Sequence, residues 1–290
     1  MELIQLGEKT YYIKNPTNIG VYRVSENEVF LIDAGNDKDA GKKILKLVEA
    51  QGWRVKGIIV THSHADHIGG CKLIQDRTGC AVYALGMESC FTQFPILEPS
   101  FLFGAQPPRQ LQNKFLMAKE SAVTPIDNNL PEGLTCFSLK GHCFDMIGIK
   151  TDDGVYFLAD ALCSEETINK YHLFYLFDVD GYLQSLDTMA ALEGKWFVPS
   201  HCEAAQDIGA LIQLNRSKIG EIAEKICALC GEAITFEDIL QQVFTDYELV
   251  MNTTQYVLLG CTVRAFLSKL LGDGKVEFFF QNNKMYWKQC

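Results

Sequence analysis

Apolar positions near the start of the chain gather in three short β-rich runs, Tyr11 to Ile13, Gly20 to Val24 and Glu28 to Ile32, with turn residues Asn15, Pro16 and Ser25 to Asn27 between them. Such runs separated by turns are those of strands, so the chain is read as opening with an antiparallel meander. From Asp39 to Gln51 the pattern changes. Ile44, Leu45, Leu47 and Val48 recur among lysines before Gly52, which predicts an amphipathic helix. Gly57 to Val60 is apolar throughout, as in a strand buried on both faces. A helix is predicted to start at Ile68, and Ala81 to Ala84 reads as a further strand.

Periodicity fades from Leu85 to Glu132, a stretch rich in proline and aromatic residues, read as an insertion that covers or walls a site. Strands are predicted again at Leu134 to Leu139, Met146 to Lys150, Val155 to Leu158 and Trp196 to Val198, with a helix over Tyr182 to Leu192. Two β-rich units with helices outside them imply an α/β fold, a sheet sandwich with helical outer layers, over residues 1–205. Ile212, Ile219, Ile222, Ile226 and Leu229 then share one helical face, predicting a connecting helix over 206–231. Thr235 to Asp238 has a capping pattern, helical spacing runs from Tyr256 to Leu271, and Val276 to Phe280 and Met285 to Trp287 form a ribbon joined at Asn282 and Asn283. Residues 232–290 thus read as a small winged-helix-like domain.

Composition narrows the function. With 48% hydrophobic residues the chain has the material for a core, and a net charge of −10 disfavours a polyanion partner. The segment 232–290 carries five Lys or Arg and seven Asp or Glu, whereas a dedicated nucleic-acid reader is usually basic. Eleven cysteines behind an N-terminus with no visible secretion signal, and no apolar run long enough for a membrane span, point to reduced thiols and a cytoplasmic location. Cys227 and Cys230 have CxxC spacing but no second pair, and they sit in a helical pattern, so they are read as packing residues.

Three of the six histidines fall within six residues, at His62, His64 and His67, with Asp66 among them. Imidazole and carboxylate suit borderline divalent metals; four such groups on one loop after a buried strand exceed the usual three protein ligands of a mononuclear catalytic site and point to two ions. His-x-His-x-Asp-His on such a loop resembles the signature of the metallo-β-lactamase superfamily. The resemblance runs over roughly residues 10 to 205 and includes Leu31 to Gly35, Gly141-His142, Leu158 to Asp160 and Pro199 to His201. It implies a four-layer αββα sandwich. It further implies that His62, His64 and His142 hold one metal, that Asp66, His67 and His201 hold a second, and that Asp160 bridges them beside a shared water or hydroxide. Asp66 is the catalytic candidate, orienting the hydroxide or passing its proton, and Asp33 would support the loop. The ions are zinc by default; such ligands also accept iron or manganese.

Within the superfamily, His64 stands where flavodiiron proteins carry Glu, and Asp160 where some true β-lactamases carry Cys. The metal pattern resembles that of glyoxalase II, implying a hydrolase of small acyl or thioester substrates. The alternative is a phosphodiesterase or endoribonuclease of the same fold. Nucleic acid is the less favoured partner, and a regulator with a vestigial site is set aside because every ligand position is filled. The aromatic residues Phe91, Phe94, Phe101, Phe103 and Phe115 with Leu116 are expected to shape a substrate pocket or to bury a homodimer interface. Cys143 and Cys202, next to ligand histidines, are read as small buried hydrophobes, and His172 as packing or cavity lining.

Overall fold

The computed structural model describes residues 1–126 and 129–290, so residues 127 and 128 of the expected 85–132 insertion lie outside the described residues. Seven strands form one sheet in chain order: β1 (Glu2–Gln5), β2 (Thr10–Lys14), β3 (Ile19–Arg23), β4 (Glu28–Ile32), β5 (Arg54–Ile59), β6 (Ala81–Ala84) and β7 (Val123–Pro125). The first four are antiparallel, and pairing is parallel from β4 onward. A second sheet has the order β11-β10-β9-β8, built from β8 (Leu134–Ser138), β9 (Ile147–Thr151), β10 (Val155–Ala159) and β11 (Trp196–Pro199).

The alternation of side chains decides what each face meets. Tyr12, Tyr22, Phe30, Ile32 and Ile59 turn to the inner face of the first sheet and pack against Ile147, Ile149, Val155, Phe157 and Val198 of the second. Their neighbours Ile13, Val21, Val29, Leu31 and Ile58 turn the other way, onto Ile44, Leu45 and Val48 of α1 (Lys38–Ala50) and Ile74 of α3 (Cys71–Thr78). On the far side, Tyr156, Leu158 and Phe197 cover Leu186 and Met189 of α7 (Val179–Ala190) and Ile212 and Ile219 of α8 (Gly209–Leu229). The result is a helix–sheet–sheet–helix sandwich, in which each fully buried Ile, Leu, Val or Phe contributes about 1.5–3 kcal/mol.

That outer apolar layer continues into α9 (Phe236–Asp246) and α10 (Thr253–Gly272), through Ile239, Leu240, Val243, Val263 and Phe266. Thr235 caps α9 by accepting from the Asp238 N–H. A hairpin of β12 (Val276–Gln281) and β13 (Lys284–Gln289) follows, and Asn282 and Asn283 take the positive φ values, 51° and 60°, that a two-residue turn requires. Ile234 pairs with Trp287 alongside it.

The structure departs from the pattern reading in short elements. The single helix expected from Ile68 is two, α2 (Ala65–Ile68) and α3, interrupted at Gly69 and Gly70. A Cβ on Gly70 would lie 2.2 Å from the Ala34 carbonyl oxygen, so only glycine lets the loop after β4 rest on this junction. The segment from 85 holds α4 (Gly86–Gln93), α5 (Leu97–Phe103) and β7, and α6 (Glu165–Tyr171) precedes α7. Elements of four to eight residues give too few turns for a period to stand out, and Pro125 is tolerated in β7 because it is an edge strand.

Candidate metal centre

The chemistry sits where strands end. β4 runs into Asp33, β5 into Thr61 to His67, β10 into Asp160 and β11 into His201, while His142 comes from the loop between β8 and β9. Two positions at these strand ends, Asp33 and Ala159, have left-handed φ values of 65° and 50°. Gly141, at φ 119°, has no room for a Cβ, which would lie 2.1 Å from the Tyr182 backbone nitrogen; its carbonyl accepts from the N–H groups of Phe177 and Asp178. The close approach of α7 thus fixes where His142 starts.

All seven sequence-predicted residues converge. His62 Nε2 and His142 Nε2 lie 3.1 and 2.9 Å from His64 Nδ1. On the other side, His201 Nε2 is 3.2 Å and His67 Nε2 3.6 Å from an Asp66 carboxylate oxygen. Asp160 reaches both groups, with its oxygens 3.2 Å from His67 and His201, 3.5 Å from His142 and 4.0 Å from His62. Three sets have ligand atoms close enough together to hold an ion: His62, His64 and His142; His62, His67 and Asp160; Asp66, His67 and His201.

The outer nitrogens explain the orientation. Thr61 Oγ1 donates to Asp33 and therefore accepts from His62 Nδ1, at 3.1 Å. His67 Nδ1 donates to Asp33 at 2.8 Å, His142 Nδ1 to the Tyr175 carbonyl at 3.2 Å and His201 Nδ1 to the Pro16 carbonyl at 2.8 Å. Each ring is thereby held with its other nitrogen turned inward, the device by which proteins orient metal-binding histidines. His67 Nε2 and Asp160 Oδ1 are buried with no hydrogen-bond partner, which a bound cation would supply. The residues fit a metal ion.

Ionisation agrees. Burial pushes His62 well below its ordinary pKa, His64 down to about 4 and His142 down to about 3, keeping them neutral with a lone pair to give. Asp160 first, then further contacts with Asp66, push His201 up to about 12, and Asp160, Asp66 and Asp33 raise His67 against the cost of its burial. Against that same cost, His201 and His67 hold the Asp160 carboxyl well below its usual range, and His67 and His201 do the same for Asp66. Protons on two histidines balance the carboxylates here; a divalent cation offers the same charge to the same atoms.

Other expectations sort themselves. Cys143 is buried, and Cys202 points its thiol at the Leu162 carbonyl. Cys230 is buried at the end of α8, away from the three ligand sets. His172 stacks on Tyr247 at 5.1 Å. Phe91 and Leu116 are buried, whereas Phe94, Phe101, Phe103 and Phe115 are exposed, Phe101 with one side packed against Phe91, Phe144 and Phe177. Sequence reasoning missed Thr17, whose hydroxyl donates to Asp66 at 2.9 Å, and Glu88, which accepts from the Ser63 N–H and hydroxyl and from the Asp145 N–H. Neither residue stands in a recognisable spacing.

The family model described as the Metallo-beta-lactamase superfamily matches residues 13–201. The chain belongs to the metallo-beta-lactamase superfamily. Among relatives, it is 40% identical over 60 residues to a hydroxyacylglutathione hydrolase of Dechloromonas aromatica, a match covering 21% of each chain. It is 23% identical over 195 residues to the probable metallo-hydrolase YflN of Bacillus subtilis, covering 59% of this chain and 74% of that one. The chain spans only about a fifth to a quarter of the length of the hydroxyacylglutathione hydrolases it matches. Among solved structures, a metallo-beta-lactamase family protein of Thermus thermophilus superposes with a TM-score of 0.74 at 17% identity, over 99% of this chain and all of that one. The DIM-1 metallo-beta-lactamase superposes with a TM-score of 0.53 at 14% identity over 76% of this chain and 97% of that one. The superfamily sandwich is common to both. Among the described residues, no helix is long and apolar enough to cross a membrane.

Proposed function

We propose that this metallo-hydrolase carries two divalent metal ions, zinc by default, and hydrolyses small acyl thioesters. The observation that carries the two-ion reading is Asp160, which reaches both His62 and His142 on one side and His67 and His201 on the other. In this reading His62, His64 and His142 hold one ion, Asp66, His67 and His201 hold the second, and Asp160 bridges them. When bound, two such cations lower the pKa of a shared water toward neutrality and polarise the acyl oxygen, supplying hydroxide as nucleophile without a serine or cysteine.

The chain's own groups do the rest. Asp66, about two-fifths exposed and held by the Thr17 hydroxyl, stands where it can orient the attacking water and take up its proton. A cleft of about 450 Å³ opens on the centre, lined by His142, Asp160, Cys163, Lys170, Tyr175 and His201. Thr167, Lys170, Tyr171 and Phe174 also line an adjoining hollow of about 490 Å³, whose far wall is Leu249, Val250, Leu258 and Leu259. A small substrate with an apolar arm fits such a lining, whose charged groups besides Asp160 are Lys170, Glu166 and Glu248. The partial matches to hydroxyacylglutathione hydrolases support the same class.

The second reading, an endoribonuclease, draws on the hairpin, where exposed Phe278 and Phe280 share one face with Trp287 and Met285, a surface on which bases can stack, while Lys284 and Lys288 lie on the other face. A panel of acyl-glutathione thioesters beside single-stranded RNA separates the two. Turnover of thioesters with RNA left intact is expected; RNA cleavage without thioester turnover would overturn the substrate class.

A further inference from the structure

Four of the five clustered histidines have their outer nitrogen on a hydrogen-bond partner, and His64 is the exception. Its Nδ1 faces His62 and His142, so its Nε2 points away from the centre. What Nε2 meets there is Glu98 Oε1, at 3.6 Å, on the first turn of α5. Glu98 is 7% exposed, and Oε1 has no other hydrogen-bond partner. An unpaired buried carboxylate oxygen is costly and uncommon, and this one is aimed at the one ligand ring whose outer nitrogen is otherwise free. The neighbouring acid on α4, Glu88, is already committed to the Ser63 and Asp145 backbones and does not serve His64.

We propose that Glu98 is the positioning residue of His64, accepting from its Nε2–H so that Nδ1 keeps its lone pair for the ion shared with His62 and His142. The inference rests on the two-ion reading above. It gives the segment from 85 to 103 a task the sequence does not reveal: α4 ties together the two loops that carry ligands, and α5 sets the tautomer of one of them. A positive ion on Nδ1 makes Nε2–H a stronger donor, and closing the 3.6 Å gap is then favourable.

The test is zinc transfer from the purified holoenzyme to a competing chelator, followed in wild type, Glu98→Leu and Glu98→Gln, with total zinc counted and the fold checked by circular dichroism. Glu98→Leu is expected to release one of its two ions roughly 10–100-fold more readily, with the other held as in wild type. Glu98→Gln, whose amide oxygen still accepts, is expected to recover most of that loss, and Glu98→Ala, with the same loss of one ion expected, takes the place of Glu98→Leu if that variant does not fold. Wild-type retention of both ions by Glu98→Leu would overturn the proposal. So would equal weakening of both ions, the mark of a merely structural residue, or in Glu98→Gln a loss as large as that of Glu98→Leu. A wild-type protein holding fewer than two ions would instead refute the two-ion reading itself.

Discussion

The two halves of the centre are built differently. His62, His64 and His142 have side chains 0, 16 and 12% exposed, and burial first, then the neighbouring imidazoles, drives them neutral. In the other half His67 is equally buried, but Asp66 and His201 are 39 and 37% exposed and the ionisation of all three is set by neighbouring charge. The first half is a dry, neutral socket. The second is an acidic, partly open one, held from behind by Asp33 and facing the cleft through His201. Under the two-ion proposal the more buried side would fix an ion, and the more open side, with His142 and Asp160 at the shared cleft, would meet water and substrate.

Asp160 joins the halves, so its removal should do most damage. Asp160→Ala is expected to lose tight binding of both ions and to cut hydrolysis by several kcal/mol in barrier, roughly a thousandfold; loss of only one ion by elemental analysis would separate the halves. Asp33→Asn comes next. It disturbs His67 and, through Thr61, His62, and should weaken the ion of Asp66, His67 and His201 roughly 10–100-fold in chelator competition while the ion of His62, His64 and His142 moves less. Equal weakening would make the halves one unit. The smallest effect is expected from Thr17→Val, which removes one hydrogen bond to Asp66, worth about 1 kcal/mol, or about fivefold in activity, with the ion of His62, His64 and His142 unchanged.

What was legible in the sequence follows the same line. His62, His64, Asp66 and His67 could be read because their chemistry is rare and their spacing on the loop after a strand is tight, and His142, Asp160 and His201 because they follow in the order that the superfamily resemblance implies. The sandwich could be read because β2 to β5 are short, largely apolar runs between turn residues or helices, and α1 and α8 keep a helical period. The supports could not. Tyr175 and Pro16 act through backbone carbonyls, which no side chain announces, and Glu98 in the first turn of a short helix looks in sequence like any acid complementing a helix start. The cleft wall was hidden for another reason: it is assembled from α6 and the start of α10, eighty residues and more apart, and α6 is too short to show a period.

The central claim is the pair of ions bridged by Asp160, and counting metal in protein purified without chelator tests it most directly. Close to two divalent ions per chain are predicted for the wild type, falling well below one in Asp160→Ala. One ion or none in the wild type would contradict the account.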